Sequence, residues 1–240
     1  MNEDNKNIIL NVENLTVAFG KNIVIEGLSF QVHQGDVLAI VGPNGAGKSV
    51  LLRTLLGLIP HKGSLIWNKN IRIGYVPQKL FVENSFPLNV REFLAFKSKS
   101  ESLITDALNS VGIDKKHDQE NILNQKLGLL SGGQFQRILI AWSILDNPNI
   151  LLFDEPTSGI DIGGEETIYN LLHELQDKKQ LTIILISHDL NVVYKYANNV
   201  LCINKQQLCF GEPNLVLDPQ SLSQLYGGET KFYHHSHPHS

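Results

Sequence analysis

The sequence predicts an α/β fold with a mainly parallel sheet, and two patterns carry this prediction. After residue 131, helical segments alternate with short apolar runs at 149–154 and 181–187, an order that builds a parallel sheet covered by helices. Another apolar run, at 36–41, enters a glycine-rich loop and is followed by a helical segment at 48–58. With 240 residues, 42% of them hydrophobic, the chain can bury the core of one domain.

The remaining segments predict two additions to this core. Alternating apolar residues at 8–17 and 24–32 indicate strands, and we expect an N-terminal antiparallel β subdomain. After a strand at 71–76 the pattern turns helical, which predicts an inserted helical subdomain at 79–130. One helix of this insertion has an apolar stripe, formed by Leu103, Ile104, Ala107, Leu108 and Val111. We expect residues 1–240 to form a single domain that ends in a flexible tail at 229–240.

Charge and hydropathy exclude several classes of protein. A formal charge of −4 and a pI near 6.1 argue against a broad nucleic-acid-binding surface, which needs clustered Lys and Arg. No run approaches the roughly 18 apolar residues of a membrane-spanning helix, and the acidic, polar start does not resemble a secretory signal. We therefore expect a cytoplasmic chain. Cys202 and Cys209 lack CxxC spacing and are expected to be small apolar fillers in a reduced compartment.

The glycine-rich loop has the composition of a phosphate-binding loop. Its glycines let backbone amides turn toward an anion, and the helix that follows adds its positive dipole end. Lys48 is placed to reach the β and γ phosphates of a nucleotide, and Ser49 offers a hydroxyl to Mg²⁺. The residues expected to bind the nucleotide here are Gly42, Pro43, Asn44, Gly45, Ala46, Gly47, Lys48, Ser49 and Val50.

Two adjacent carboxylates follow the apolar strand at 150–153. The strand delivers Asp154 and Glu155 to its exposed end, on the side where the phosphate loop is expected. There Asp154 is suited to hold Mg²⁺ through water, and Glu155 faces the γ phosphate.

A second anion site is predicted at Ser131, Gly132, Gly133 and Gln134. Ser131 precedes a helix expected to reach Leu145 and is well placed to cap it, and the exposed amides and dipole of that helix start attract an anion. This site is far along the chain from the phosphate loop. Two sites that need the same γ phosphate are most simply satisfied by a head-to-tail pair of chains with two ATP molecules between them.

The phosphate loop at 42–49, the LSGGQ sequence at 130–134 and the LLFDE sequence at 151–155 together resemble the motifs of the ATP-binding cassette (ABC) superfamily. The resemblance implies an ATPase that works as a dimer. It also implies that Glu155 polarises the attacking water and that His188, at a strand end, positions this water.

Three further residues receive roles from this resemblance. Gln78 matches the glutamine that senses Mg²⁺ and the γ phosphate, and Asp161 matches the loop at the dimer interface. Phe19 matches the aromatic residue that stacks on adenine, although a core-facing ring is the alternative. Two positions depart from the family pattern: Val50 stands where Ser or Thr is usual, and Trp142 stands where Arg is common.

The segment 71–79 and the histidine-rich tail resemble the ATP-binding subunit of bacterial high-affinity zinc importers, within a zinc, manganese and iron uptake group. The implied partners are a membrane permease homodimer and an extracytoplasmic metal-binding protein. Importers of manganese or iron remain alternatives, as does a soluble ABC ATPase that acts on ribosomes or DNA. A nucleotide-dependent regulator without turnover is disfavoured by the intact Glu155 and His188.

The tail carries four imidazoles within six residues, a spacing that suits weak zinc binding. Our hypothesis is that this segment senses cytoplasmic zinc outside the catalytic cycle, the alternative being a solvated tail without a role. The histidines are His234, His235, His237 and His239.

Overall fold

The computed structural model describes residues 7–78, 82–157, 160 and 162–227. Within these ranges the strands are β1 (Ile8–Phe19), β2 (Asn22–His33), β3 (Val37–Val41), β4 (Lys62–Trp67), β5 (Ile73–Val76), β6 (Ile150–Asp154), β7 (Thr182–Ile186), β8 (Asn199–Asn204) and β9 (Gln206–Gly211). The α-helices are α1 (Lys48–Leu55), α2 (Val90–Ala95), α3 (Glu101–Ser110), α4 (Lys116–Leu123), α5 (Gly132–Ile144), α6 (Ile162–Lys179), α7 (Leu190–Tyr196), α8 (Pro213–Val216) and α9 (Pro219–Tyr226).

The larger sheet has the strand order β5-β6-β7-β3-β8-β9 among the described residues. Its neighbouring strands run parallel except for β8 and β9, which confirms the predicted mainly parallel α/β fold. Parallel strands in such a sheet present their carboxyl ends at one edge. The loops that follow β3, β5, β6 and β7 therefore converge at that edge.

The smaller sheet is antiparallel, with β1 between β2 and β4. This confirms the predicted N-terminal antiparallel β-structure. The strand β4 is an addition that the sequence did not predict, because its side chains are exposed or half-buried without strict alternation. Its last residue is tied to the rest of the fold by a hydrogen bond from Trp67 Nε1 to the carbonyl oxygen of Leu55, at 2.9 Å.

The larger sheet separates two apolar layers. Val37, Ala39 and Val41 of β3 face the layer that contains α5 and α6, whereas Leu38 and Ile40 face the layer that contains α1 and the smaller sheet. Successive side chains of a strand point to opposite faces, so a strand buried on both sides must be apolar throughout. This explains the continuous apolar run that the sequence shows before the glycine-rich loop.

Along the chain, β5 is followed by three short helices, α2, α3 and α4, before α5 begins. The buried residues of the predicted apolar stripe are Ile104, Ala107 and Leu108 on α3 and Val111 directly after it. The inclusion of Leu103 is wrong, because 49% of its surface is exposed. The buried stripe is narrower than the apolar pattern, and Leu103 lies beside it on the helix surface.

The two cysteines form a disulfide that joins β8 to β9, so the expectation of two free thiols is wrong. Strand register is the reason, because it places Cys202 directly opposite Cys209. Their spacing in the sequence does not reveal this pairing, since the register depends on the turn and on an irregularity between Cys202 and Ile203. Cys202 is buried, and Cys209 is half-buried.

We expect Cys209→Ser to lower the melting temperature of the protein under non-reducing conditions. A disulfide that closes a loop this short stabilises a fold by about 2 kcal/mol, because it restricts the unfolded chain. Thermal unfolding of oxidised wild type and variant, each with and without reductant, measures this effect. Reductant should lower the melting temperature of the wild type alone, and equal melting of the two oxidised proteins would contradict the prediction.

Candidate active site

The phosphate loop joins β3 to α1, and glycine is needed at both of its ends. At Gly42, where φ is 155°, an added Cβ would lie 2.1 Å from the carbonyl oxygen of Ile203. Gly47 caps α1 in the left-handed region, with φ of 97°. These two glycines allow the loop to lead directly from the end of β3 into the start of α1. Backbone amides next to a helix start form an anion-binding site.

Lys48 crosses the mouth of this loop. Its Nζ donates hydrogen bonds to the carbonyl oxygens of Gly42, at 2.8 Å, and Pro43, at 3.0 Å. Burial lowers the pKa of Lys48, while the carboxylates of Glu155 and Asp154 act in the opposite direction. The ammonium is therefore held against carbonyl oxygens of the loop, within the field of the two acids.

Ser49 and Asp154 meet although they are 105 residues apart in the chain. Ser49 Oγ donates a hydrogen bond of 2.9 Å to Oδ1 of Asp154. Burial raises the pKa of Asp154, and the bond from Ser49 offsets part of that rise. A hydroxyl and a carboxylate oxygen at this separation form the type of hard-oxygen donor set that Mg²⁺ prefers.

Glu155 stands between Gln78 and His188. One carboxylate oxygen accepts a hydrogen bond from Gln78 Nε2, and the other contacts His188 Nε2. The backbone of Glu155 has a φ of 52°, which is unusual for a residue with a side chain and is found at functional sites. Loops after three different strands thus bring together three residues that the sequence could link only by resemblance.

One cavity of about 640 Å³ contains these groups. Its position is the carboxyl edge of the larger sheet, in agreement with the rule for ligand sites in such sheets. Its lining residues are Val24, Asn44, Gly45, Gly47, Lys48, Ser49, Val50, Gln78, Glu155 and His188.

Val24 is an unexpected residue of this cavity wall, whereas Val50 was expected there and departs only from the family pattern. Val24, on β2, belongs to no nucleotide-binding motif, and strand alternation was its only signal. Val50 is half-buried and packs against the core layer on the side of α1. Because valine has no hydroxyl, the backbone amide is the hydrogen-bond donor that Val50 offers to a ligand.

Phe19 lies at the end of β1 with 53% of its surface exposed, so the alternative of a core-facing ring is wrong. It is absent from the residues that line the cavity. An exposed aromatic ring is free to stack on a base, and this role remains a prediction.

The residues at 131–134 start α5, and the predicted N-cap is confirmed. Ser131 Oγ accepts from the Gln134 amide at 3.3 Å, and Gln134 Oε1 accepts from the Ser131 amide at 3.0 Å. This reciprocal pair forms a capping box. The segment, with Gly132 and Gly133, does not line the cavity at the phosphate loop of the same chain. Its surface is instead available to another molecule.

Trp142, which departs from the family pattern, packs within its own chain. Its ring stacks on Phe93 of α2 with centroids 5.6 Å apart, and the Lys97 ammonium lies 4.0 Å from the ring centroid. This contact connects α5 to α2 through an aromatic stack and a cation–π interaction. The other predicted site residues, Asp161 and the four tail histidines, lie outside the described residues.

Among the described residues, no helix is both long and apolar enough to cross a membrane. Comparison with known proteins places the chain among ATP-binding proteins of transporters. The sequence is 38% identical to the zinc import ATP-binding protein ZnuC of Haemophilus influenzae, over 98% of this chain and 88% of that protein. It is also 38% identical to the ZnuC protein of Pasteurella multocida, over 96% of this chain and 88% of the relative.

The fold comparison agrees with the sequence comparison. The ADP conformation of MJ1267, an ATP-binding cassette of an ABC transporter, superimposes with a TM-score of 0.76 at 28% identity, covering 92% of this chain and 99% of that one. A sequence family described as ABC transporter matches residues 25–158, which is more than half of the chain. The chain belongs to the ABC transporter family, and this membership explains why it carries the phosphate loop, the two acids and the helix start at Ser131.

Proposed function

We propose that this chain is the ATP-hydrolysing subunit of a zinc importer. The observation that carries the hydrolytic part is the Glu155 carboxylate, held between Gln78 and His188 on the wall of the cavity that contains the phosphate loop. The zinc part is supported by the relatives named zinc import ATP-binding protein, which match nearly the whole chain at 38% identity.

In this mechanism the chain binds ATP through the phosphate loop. The loop amides and Lys48 hold the β and γ phosphates, and Ser49 and Asp154 would hold Mg²⁺, which neutralises charge on those phosphates when it is bound. Glu155 accepts a proton from the attacking water, and His188 orients that water toward the γ phosphate. Gln78, which lies in the chain between β5 and the helices that follow it, contacts the carboxylate of Glu155 through its amide.

The active unit in this proposal is a head-to-tail pair of chains. Ser131 and Gly132 are exposed at the start of α5, and in the pair this helix start covers the nucleotide that the phosphate loop of the other chain holds. Each ATP is then enclosed only when both chains are present. Asp161 is assigned to the same interface.

The proposed partners place this pair at a membrane. Permease subunits would carry zinc across the bilayer, an extracytoplasmic metal-binding protein would deliver it, and the ATPase pair would bind the permease at the cytoplasmic face. Radiolabelled zinc uptake by cells that carry wild-type chain or Glu155→Gln tests this proposal. We expect uptake to depend on Glu155. Uptake of manganese or iron instead would favour one of the alternative importers, and a chain that neither sediments with membranes nor affects uptake would favour a soluble ATPase.

We also predict a separate effect of the histidine tail. Deletion of residues 233–240 should leave ATP hydrolysis intact but abolish a micromolar-range Zn²⁺ binding event, measured by calorimetry at neutral pH. Neutral imidazole binds zinc and imidazolium does not, so this event should also vanish at about pH 5 in the full-length protein. Replacement of the four histidines by Gln provides the matched control, and identical zinc binding by all three proteins would exclude a metal role for the tail.

A further inference from the structure

Tyr169 of α6 is a buried residue that contacts the two loops carrying Glu155 and His188, which we call the catalytic pair. Only 4% of its surface is exposed, and its hydroxyl lies 3.4 Å from Thr157 Oγ1 and 3.5 Å from Ser187 Oγ. Thr157 follows Glu155 by two residues, and Ser187 directly precedes His188. One hydroxyl therefore lies between the segment that carries Glu155 and the segment that carries His188.

Ser187 transmits this contact to the backbone around His188. Its hydroxyl accepts a hydrogen bond from the Asp189 amide, at 3.1 Å, and donates to the Asp189 carbonyl oxygen, at 3.3 Å. Asp189 in turn caps α7, since its carboxylate accepts from the amide of Asn191 at 2.8 Å. The residues on either side of His188 in the chain are thus bonded to each other, and Tyr169 contacts the buried one, Ser187.

The ring of Tyr169 is held independently of its hydroxyl. It stacks on Tyr196 of α7, with centroids 6.1 Å apart and an interplanar angle of 18°. A cavity of about 310 Å³ beside the ring is lined by Glu155, Thr157, Ser187 and His188 as well as Tyr169. Packing alone would be satisfied by phenylalanine, so the hydroxyl has to be explained by what it contacts.

Burial also keeps this hydroxyl neutral. Desolvation raises the pKa of Tyr169 from its ordinary value, and the contacts with Ser187 and Thr157 offset part of that rise. The group therefore retains its proton through the neutral pH range, and a neutral phenol both donates and accepts hydrogen bonds. Because the Ser187 proton goes to the Asp189 carbonyl oxygen, the Tyr169 hydroxyl donates to Ser187 and accepts from Thr157.

We propose that Tyr169 is a positioning residue for ATP hydrolysis, whose hydroxyl fixes the segment of Glu155 relative to the segment of His188. The proposal rests on the functions proposed above for these two residues. Without the bridge, each side chain keeps its own chemistry, but the two no longer share a fixed separation over the γ phosphate. Because positioning acts on the reacting geometry, the loss appears in turnover and leaves nucleotide binding unchanged.

The test is steady-state ATP hydrolysis by Tyr169→Phe, which removes the oxygen and keeps the ring. We expect kcat to fall about tenfold, the size of effect that loss of one or two weak hydrogen bonds produces, while KM for ATP and the melting temperature stay unchanged. Tyr196→Phe is the matched control. It removes a hydroxyl from the same ring pair, but one that donates to the exposed Asn170 Oδ1 at 2.6 Å, and it should hydrolyse ATP like the wild type.

A double variant separates this proposal from the one on which it rests. If Tyr169 acts through the catalytic pair, Tyr169→Phe causes no further loss in a Glu155→Gln background, because residues that act as a unit are not additive. Full additivity, an unchanged kcat in Tyr169→Phe, or a loss that follows the melting temperature would each overturn the positioning role. Wild-type turnover in the Glu155→Gln single variant would instead overturn the function proposed for Glu155.

Discussion

Glu155→Gln is expected to reduce ATP turnover at least about a hundredfold, because general-base assistance contributes roughly 10²–10⁴ to such rates. The amide cannot accept the proton of the attacking water, whereas Lys48, Ser49 and the loop amides are untouched. ATP affinity should therefore persist. The measurements are steady-state phosphate release and equilibrium binding of ATP with Mg²⁺.

The same substitution should also trap the pair of chains. If hydrolysis separates the two subunits, the variant with ATP and Mg²⁺ should elute as a dimer in size-exclusion chromatography. Glu166→Gln is a suitable control, since Glu166 is an exposed acid whose side chain pairs with Lys195 at 3.3 Å and should not affect turnover. Turnover close to that of the wild type in Glu155→Gln would remove Glu155 from the role of general base.

Chains that carry Lys48→Ala and chains that carry Ser131→Arg should each be inactive and should recover activity when mixed. In a mixed pair, one of the two composite sites combines an intact phosphate loop with an intact Ser131 helix start. Recovery should reach at most about one quarter of wild-type turnover, because half of randomly formed pairs are mixed and each has one intact site. The expectation follows from the structure, in which residues 131–134 do not line the cavity at their own phosphate loop.

The control for this experiment is a chain with both substitutions, mixed with the Lys48→Ala chain. No pair in that mixture has an intact phosphate loop, so no activity should return. A crosslink must accompany the assay, since absence of recovery also arises when both sites have to fire together. With cysteines at positions 131 and 44 in a Glu155→Gln background, ATP should allow an intermolecular disulfide. If neither recovery nor crosslink is observed, the two sites do not assemble between chains.

The sequence predicts a functional residue best when that residue belongs to a short motif directly after the apolar run of a buried strand. The apolar runs of β3 and β6 predict the parallel sheet, and the residues that follow them, Lys48, Ser49 and Asp154, come together in the structure. Their chemistry depends on backbone conformation and on strand ends, both of which local sequence determines. Helix ends are predicted less well. The helix α1 ends at Leu55 and does not reach residue 58, because Gly57 adopts a left-handed φ of 74°.

The features that sequence could not predict depend on contacts between distant segments. The disulfide depends on the register of β8 and β9. The exposure of Leu103 depends on the width of the surface against which α3 packs. Tyr169 reads in the sequence as one more apolar position of an amphipathic helix. Only the tertiary arrangement shows that its hydroxyl lies between two loops that are 30 residues apart, at Thr157 and Ser187.

The turn between β8 and β9 has a consequence for insertion tolerance. Tips of exposed hairpins are the usual places where a chain accepts extra residues, provided that their backbone groups have no partners. Here the amide of Lys205 donates to the carbonyl oxygen of Ala46 in the phosphate loop at 3.3 Å, and its carbonyl oxygen accepts from the amide of Glu26 in β2 at 2.8 Å. A single exposed residue thus links the phosphate loop to the smaller sheet. An epitope or loop inserted at Lys205 would therefore alter ATP binding, although it changes no residue of a nucleotide-binding motif.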